Sequence, residues 1–265
     1  MKLEGKKVLI TGATGGIGKS LAYALSKKGA QVVLHGRCRE KLDMLATDLW
    51  EQGHEVHLLA ADIKIGDERR KLVEEVSQIG IDILINNAAV NQFSLFEQMS
   101  EDQIESILYT NINATMLLTH DLLPTLQQAG AAMVVNVGST FGSIGFPGYA
   151  VYCATKHALK GFSDALRREM ADTAVKVIYV APRATSTSMN TSAANSLNTV
   201  LGIRSDHPYQ VAGAIIRSME KDTARSQIGW PEKFQVKINN LLPQVVDLAL
   251  FKQLPVIKQY TQTNP

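Results

Sequence analysis

The chain has 265 residues, of which 45% are hydrophobic, and its formal net charge of +2 is spread along the sequence. These values predict one large domain with a full core, and they give no electrostatic reason to expect a nucleic-acid partner. The two cysteines, Cys38 and Cys153, match no metal-ligand spacing or disulfide framework, and no signal-peptide core or membrane-spanning apolar run is evident, so a cytoplasmic location is expected.

Short apolar runs alternate with longer amphipathic segments, a pattern that predicts repeated βαβ units around a parallel sheet. The predicted strands lie at 8–10, 32–34, 56–59, 83–85, 133–135 and 177–180. The predicted helices lie at about 17–29, 39–52, 67–79, 101–128 and 152–172. A seventh strand is predicted near 226–228, after a helix that Asp206 caps with Pro208 in its first turn. The expected fold is a Rossmann-type doubly wound parallel α/β sheet of about seven strands.

A glycine-rich turn lies between the first predicted strand and the first predicted helix. It reads Thr11-Gly12-Ala13-Thr14-Gly15-Gly16-Ile17-Gly18. Glycines at these positions let the backbone turn tightly and approach a pyrophosphate, whose negative charge would meet the helix N-terminus. The spacing is G-x-x-x-G-x-G rather than the commoner G-x-G-x-x-G, but the strand, turn and helix order favours a dinucleotide site.

Tyr152 and Lys156 are four residues apart on one predicted helix, and Ser139 lies thirteen residues upstream of the tyrosine. Residues at this spacing share a helix face, so the ammonium group could stabilise a phenolate and lower the pKa of Tyr152. Such a tyrosine is expected to act as an acid or base near neutral pH.

Taken in order, these motifs resemble those of the short-chain dehydrogenase/reductase family over about residues 5–230. The resemblance rests on the turn at 11–18, Asp62, the Asn86-Asn87-Ala88-Ala89 segment, Asn111, Ser139, and Tyr152 with Lys156. The chain departs from the family twice, because the usual N-N-A-G reads NNAA and the usual Pro-Gly after the sixth strand reads Pro182-Arg183. The expected organisation is a catalytic domain at 1–230 followed by an amphipathic extension at 231–265 that packs on the domain or on a sister subunit.

The resemblance implies a role for each catalytic residue. Tyr152 would donate a proton to a carbonyl oxygen in reduction, or remove one from an alcohol in oxidation. Lys156 would bind the nicotinamide ribose, Ser139 would hydrogen-bond the reacting oxygen, and Asn111 would hold a water in a proton relay. Fixed donors and a nearby acid suit the charge that develops on the oxygen.

The end of the second predicted strand indicates which cofactor is bound. Gly36 stands where an acid would favour NAD(H), and Arg37 and Arg39 follow. A guanidinium without a competing carboxylate favours a 2′-phosphate, and hence NADP(H) over NAD(H). The alternative is that both arginines merely solvate the start of a helix. By resemblance, the further cofactor contacts are Asp62, Ile63, Asn86, Asn87, Ala88, Pro182, Thr185 and Thr187, together with Thr14, Gly15, Ile17 and Gly18 of the turn.

The segments after Ala89, Ser139 and Pro182 are expected to frame the substrate site. The candidate lining is Gln92, Phe93, Phe141, Ile144, Phe146, Tyr149 and Met189. This mostly apolar set favours a hydrophobic or acyl carbonyl compound, although the same residues could belong to the core. Arg183 could face this site or the solvent.

From Trp230 onward, apolar residues recur at helical intervals at Phe234, Ile238, Leu241, Val245 and Leu248. Pro243 is expected to divide this segment into two short helices. The slightly basic extension could cover the substrate cleft, form a subunit contact or rest weakly on a membrane surface. By resemblance, the long helices at 101–128 and 152–172 would assemble a homodimer or homotetramer.

Together these features predict NADPH-dependent reduction of a hydrophobic ketone or 3-oxoacyl carbonyl to a secondary alcohol. The alternative is a non-catalytic protein that senses NADPH through the same fold. A complete set of catalytic residues argues against this alternative, because a sensor needs no proton relay.

Overall fold

The computed structural model describes residues 1–262, and their seven strands form one parallel sheet. Across the sheet the strand order is β3-β2-β1-β4-β5-β6-β7. The strands are β1 Lys7–Thr11, β2 Gln31–Gly36, β3 Val56–Ala60, β4 Ile83–Asn86, β5 Ala132–Val137, β6 Val175–Ala181 and β7 Arg225–Gln227. The order reverses where β1 meets β4, as in a doubly wound sheet. The predicted Rossmann-type fold with seven strands is confirmed.

Helices cover both faces of this sheet. In the described part of the chain they are α1 Gly16–Ser26, α2 Arg39–Glu51, α3 Gly66–Ile79, α4 Glu101–Leu108, α5 Ala114–Gln128, α6 Ala150–Glu169, α7 Ser192–Val200, α8 Pro208–Glu220, α9 Glu232–Leu241 and α10 Pro243–Gln262. Nowhere between residues 1 and 262 is there a helix with both the length and the apolar character needed to cross a membrane.

The five inner strands, β2, β1, β4, β5 and β6, are almost entirely buried, which explains their nearly continuous apolar sequences. Val8 and Ile10 of β1 belong to one hydrophobic cluster with Leu21 of α1. Leu9, between them, belongs to a second cluster with Leu118 of α5. The alternation follows from the two-residue period of a strand. It fixes the sheet between two apolar layers and leaves the loops at its carboxyl edge to form a site.

Two local predictions differ from the structure. The predicted helix at 101–128 is interrupted by a π-helical turn at Tyr109–Asn113, which separates α4 from α5. The first turn of α8 contains Pro208 as expected, but its cap is His207, whose ring nitrogen accepts a hydrogen bond from the Tyr209 N–H. Asp206 was therefore assigned wrongly as the cap, because its carboxylate pairs with Arg183 instead.

The C-terminal extension forms two helices that meet at Pro243. The second helix was expected to be short, but α10 continues through Pro255 and has 20 residues. Of the five periodic apolar positions, Ile238 is half-buried, whereas Phe234, Leu241, Val245 and Leu248 are exposed. The fully buried contact of α10 is Ile257, which joins a cluster with Leu197 of α7. Residues 263–265 of the predicted extension lie outside the described residues.

Candidate active site

A cavity of about 1090 Å³ opens at the carboxyl edge of the sheet. It extends from the glycine turn and the end of β2 to the loops that follow β4, β5 and β6. Helices α9 and α10 also contribute to its lining. Because the cavity includes the point where the strand order reverses, it occupies the position at which open α/β sheets bind ligands.

The glycine turn forms one end of this cavity. The residues of the turn that line it are Gly12, Thr14, Gly15, Gly16 and Ile17. Gly12 has a φ of +64°, and a Cβ added there would lie 2.9 Å from the Cα of Ala88. A Cβ on Gly16 would lie 2.8 Å from the Cγ2 of Thr187. Larger residues would therefore narrow the space between the turn and the loops that face it.

The first turn of α1 fits a bound pyrophosphate. Its N-cap, Gly15, has no side chain that could accept hydrogen bonds from the N–H groups of the first turn, and that turn holds no acidic residue. Uncapped N–H groups and the positive end of the helix dipole at a cavity wall favour an anion. Gly18, which was also predicted as a cofactor contact, does not line the cavity. A Cβ there would overlap the carbonyl oxygen of Gly12, so Gly18 allows the turn to pack tightly beneath the site.

The two arginines after β2 have different surroundings. Arg37 follows Gly36, and both residues line the cavity. Arg39 does not line the cavity, because its Nε lies 3.0 Å from the Asp43 Oδ1 on the exposed surface of α2. This position favours the solvated-helix alternative for Arg39, whose cofactor contact stays a prediction.

The remaining predicted cofactor contacts lie around the cavity with one exception. Those in its lining are Asp62, Ile63, Asn87, Ala88, Pro182, Thr185 and Thr187. Asn86 is buried outside the lining and donates hydrogen bonds to the Thr119 Oγ1 and the Asn136 Oδ1. Asn87 donates to the carbonyl oxygens of Thr11 and Gly12, so it stabilises the glycine turn.

Ser139, Tyr152 and Lys156 meet in the middle of the cavity. The Lys156 Nζ lies 5.6 Å from the centre of the Tyr152 ring and donates a 3.0 Å hydrogen bond to the carbonyl oxygen of Val137. The Ser139 Oγ accepts a hydrogen bond from the Phe141 N–H, and the Ser139 hydroxyl also hydrogen-bonds Tyr152. Two hydroxyl groups and one ammonium group therefore converge where a carbonyl oxygen could bind.

Burial determines the protonation of this group. It raises the pKa of Tyr152 above its ordinary value, and the hydrogen bond with Ser139 opposes that rise without cancelling it. Burial also lowers the pKa of Lys156 to about 8. The expectation that Lys156 lowers the pKa of Tyr152 is wrong for this arrangement, because desolvation of the phenolate dominates. Tyr152 is consequently protonated at neutral pH, which is the form that can donate a proton.

Asn111 lies in the π-helical turn and is 1% exposed, but it is not part of the cavity lining. Its Oδ1 accepts a hydrogen bond from the Val90 N–H, and its Nδ2 donates to the Val90 carbonyl oxygen. Nδ2 also lies 3.2 Å from the Thr155 Oγ1. The side chain therefore joins the segment after β4 to α6 beside the catalytic tyrosine. The water-holding role of Asn111 stays a prediction.

An aromatic and apolar wall faces the catalytic group. Its members are Phe141, Ile144, Phe146, Tyr149 and Met189. Gln92 and Phe93 lie elsewhere, although they were expected to line the site. Gln92 borders a separate pocket, and Phe93 is buried with its ring centre 5.0 Å from that of Tyr149.

The C-terminal helices supply lining residues that the sequence had not identified individually. They are Gln235, Ile238, Val245, Val246, Ala249, Leu250 and Gln253. The helical recurrence of apolar residues was the available signal, and it was compatible with a cover for the cleft, a subunit contact or a membrane contact. Which side chains face the cavity depends on how α10 packs against α7, and the local sequence does not determine that packing.

A family model described as short chain dehydrogenase matches residues 6–198. The chain belongs to the short-chain dehydrogenase family. It is therefore an oxidoreductase of the family that its ordered motifs resemble. The matched segment includes the glycine turn, Ser139, Tyr152 and Lys156, but not helices α8, α9 and α10.

Curated relatives of this short-chain dehydrogenase include Nodulation protein G from Rhizobium sp. (strain N33). That protein is 38% identical over 183 residues, covering 68% of this chain and 74% of the relative. Ketoacyl reductase HetN from Nostoc sp. (strain PCC 7120) is 34% identical over 224 residues, covering 83% of this chain and 77% of the relative.

Solved structures share the fold. A crystal structure of a variant of actinorhodin polyketide ketoreductase with NADPH has a TM-score of 0.77 and 26% identity, covering 84% of this chain and 95% of that one. A short-chain dehydrogenase/reductase from Burkholderia phymatum in complex with NAD has a TM-score of 0.83 and 18% identity, covering 94% and 96%. Nicotinamide dinucleotides are therefore the cofactor class of these neighbours, and the residues around the turn fit such a cofactor.

Arg183 is a distinctive feature of this short-chain dehydrogenase, because the family usually has glycine there. Its guanidinium lies 2.6 Å from the Asp206 Oδ1 and 3.3 Å from the Glu232 Oε2, and it donates to the Trp230 carbonyl oxygen at 2.8 Å. A Cβ on Gly229 would lie 2.6 Å from the Arg183 Cδ, so the glycine makes room for the arginine. Arg183 thereby joins the end of β6 to the start of α9 at the edge of the cavity.

Proposed function

We propose that this short-chain dehydrogenase uses NADPH to reduce a hydrophobic ketone or a 3-oxoacyl carbonyl to a secondary alcohol. The observation that carries the proposal is the placement of Tyr152 beside Ser139 and Lys156 in a largely apolar cavity. A phenol whose pKa is raised holds its proton until a negative charge develops next to it. This property suits proton donation during reduction.

The protein residues divide the reaction between binding and proton transfer. The Ser139 and Tyr152 hydroxyl groups would hydrogen-bond the substrate oxygen and stabilise the charge that develops there. Tyr152 would then donate its proton to that oxygen. The ammonium of Lys156 would bind the nicotinamide ribose and help restore the proton of Tyr152. When bound, the cofactor supplies the hydride.

The substrate class follows from the wall opposite the catalytic group. Phe141, Ile144, Tyr149 and Met189 give it an apolar character, and the C-terminal helices add Ile238 and other aliphatic side chains. Such a wall favours an extended hydrophobic group over a sugar. The names of the relatives agree with an acyl substrate, since one is called a ketoacyl reductase and one structure is a polyketide ketoreductase.

The preference for NADPH rests on Arg37. Arg37 lines the cavity where β2 ends, and the preceding residue is a glycine rather than an acid. We expect Arg37→Asp to weaken NADPH binding by about ten- to a hundredfold, because a charge-assisted contact contributes roughly 1.5–3 kcal/mol. Arg39→Asp is the matched control and should change the affinity little. Equal affinities of the unaltered protein for NADPH and NADH would contradict this assignment.

A substrate-panel assay tests the catalytic proposal. The unaltered protein should consume NADPH with 3-oxoacyl thioesters or hydrophobic ketones, and Tyr152→Phe should lower kcat by on the order of a hundredfold or more. NADPH affinity should hardly change, because the ring remains. Tyr149→Phe is the control, since it removes a hydroxyl from another tyrosine in the cavity lining. Substantial turnover by Tyr152→Phe would remove the tyrosine from the mechanism and favour an NADPH sensor.

The assembly and location of the protein are part of the same proposal. We expect a homodimer or homotetramer that buries α4, α5 and α6 between subunits in the cytoplasm. Partly exposed apolar side chains on these helices, at Leu108, Tyr109 and Met116, support such a contact. Light scattering on the purified chain measures its mass, and a monomer at micromolar concentration would contradict the assembly.

A further inference from the structure

The helices α9 and α10 expose large apolar side chains to solvent. These side chains, with Trp230 just before α9, form what we term the C-terminal apolar surface: Trp230, Phe234, Leu241, Leu242, Val245, Leu248 and Phe251. Each is more than half exposed, and Leu241 reaches 79%. On α10, Val245, Leu248 and Phe251 recur every three residues and therefore follow one side of the helix. Large exposed apolar side chains concentrated in one segment, rather than scattered singly, indicate a contact with something outside the chain.

The C-terminal apolar surface rests on a fixed support. At its start, Glu232 pairs with Arg183, and the Asn239 Nδ2 donates a 2.9 Å hydrogen bond to the Ser143 carbonyl oxygen. At its far end, Ile257 is fully buried against α7. These contacts hold the two helices on the domain. The exposed groups face solvent, while other residues of the same helices contact the domain or line the cavity.

Lysines are interspersed with these apolar groups. Lys237 lies one turn from Phe234, Lys252 is next to Phe251, and the Lys233 Nζ lies 5.9 Å from the centre of the Trp230 ring. The acids of the segment are Glu232, which is paired with Arg183, and Asp247. A two-fold contact with a second copy would bring two lysine-bearing surfaces together. An anionic lipid surface instead complements both the lysines and the apolar side chains.

The same helices lead directly to the cavity. Val245 belongs to the C-terminal apolar surface and also lines the cavity, as do Ile238, Val246, Ala249 and Leu250 behind it. These helices thus supply apolar side chains both to the outer surface and to the cavity that holds Ser139, Tyr152 and Lys156.

We propose that the C-terminal apolar surface docks on bilayers that contain anionic lipid, with α9 and α10 lying in the plane of the headgroups. Trp230, Phe234, Leu248 and Phe251 insert into the interface, and the lysines contact the lipid phosphates. The part of the cavity wall formed by α9 and α10 then lies next to the membrane. Docking itself requires no turnover, so it is measured independently of the proposed reaction.

Co-sedimentation tests the proposal with the full chain. The unaltered protein should pellet with vesicles made of equal parts phosphatidylcholine and phosphatidylglycerol, and far less with phosphatidylcholine alone. Leu248→Glu combined with Phe251→Glu should abolish pelleting, because both side chains are exposed and neither lines the cavity. Met44→Glu combined with Tyr209→Glu introduces the same charge at exposed sites outside the surface and should leave pelleting unchanged.

A second pair of variants measures the contribution of the lysine charges to vesicle binding. Lys237→Gln with Lys252→Gln should weaken vesicle binding by on the order of tenfold, since each lysine near an anionic surface contributes measurably. Lys71→Gln with Lys176→Gln is the matched control on other exposed faces. In a Trp50→Phe background, Trp230 is the remaining tryptophan, and its emission should shift to shorter wavelength on addition of the anionic vesicles.

Two results would overturn the proposal. One is equal pelleting of the unaltered protein and the Leu248→Glu, Phe251→Glu variant. The other is an unaltered protein that does not pellet with vesicles, together with a Leu248→Glu, Phe251→Glu variant whose mass in light scattering is lower. That result would identify a second copy of the chain as the occupant. Equal melting temperatures of the surface variant and its control confirm that folding is not the cause of either result.

Discussion

Arg183 should stabilise the protein by holding together segments that are distant in sequence. Its guanidinium contacts Asp206, 23 residues further along the chain, and Glu232, 49 residues further along. Arg183→Met keeps much of the aliphatic side chain but leaves the two carboxylates without their cation. The side chains of all three residues are 13–14% exposed, so little solvent is available to compensate.

The size of the effect follows from this burial. Exposed ion pairs contribute about 0–1 kcal/mol, whereas removing one partner of a fully buried pair costs about 3–5 kcal/mol. The Arg183 group lies between these limits, and we expect a loss of roughly 2–3 kcal/mol. For a domain of this size that loss lowers Tm by roughly 4–10 °C.

Thermal and urea unfolding of the purified protein measure the loss. Combining Arg183→Met with Asp206→Asn and Glu232→Gln should restore part of the stability, because the stranded charges are then removed as well. Arg204→Met is the control, since this exposed arginine also lines the cavity. A loss below about 1 kcal/mol for Arg183→Met, as for an exposed pair, would refute the reasoning.

Two further predictions concern the turn and the catalytic lysine. Gly16→Ala should weaken NADPH binding by about tenfold, because the added methyl group meets Thr187 at a cost of roughly 1–3 kcal/mol. Gly161→Ala is the control, since its methyl group meets open space and should leave the affinity unchanged. Equal NADPH affinities of the two variants would contradict the close approach of Gly16 to Thr187. Native Lys156 releases its proton near pH 8 and the unfolded chain near 10.5, so the unfolded state binds more protons and the stability of the cofactor-free protein should rise with pH in between. Between pH 8 and 9.5, the free energy of unfolding of the unaltered protein should rise by about 2 kcal/mol relative to that of Lys156→Met, as measured by urea unfolding. If the two proteins show parallel pH profiles, burial does not lower the pKa of Lys156.

The sequence predicted those features that depend on near neighbours along the chain. Short apolar runs indicated six of the seven strands, since burial on both faces of the inner strands demands a nearly continuous hydrophobic segment. The glycine turn was recognisable because tight turns at a strand end need residues without a side chain. Tyr152 and Lys156 were placed together correctly, because a four-residue spacing on a helix fixes their relative position.

Contacts between distant segments were decided by the tertiary structure. Asp206 resembles a helix cap in sequence, yet it pairs with Arg183, and His207 takes the cap. Arg37 and Arg39 are the same residue type and lie two positions apart. Arg37 nevertheless lines the cavity, whereas Arg39, at the start of α2, pairs with Asp43.

Tertiary structure also decides the protonation of the site and the orientation of the C-terminal helices. The spacing of Tyr152 and Lys156 suggested a lowered tyrosine pKa, whereas the folded protein raises it, because desolvation depends on all the surrounding atoms and not on one neighbour. The periodicity of α9 and α10 identified an amphipathic segment but not which side faces the cavity. Packing of Ile257 against α7 sets that orientation, and such packing is a property of the assembled chain. The sequence thus determined the fold and the reactive groups, whereas tertiary packing determined the surroundings of those groups.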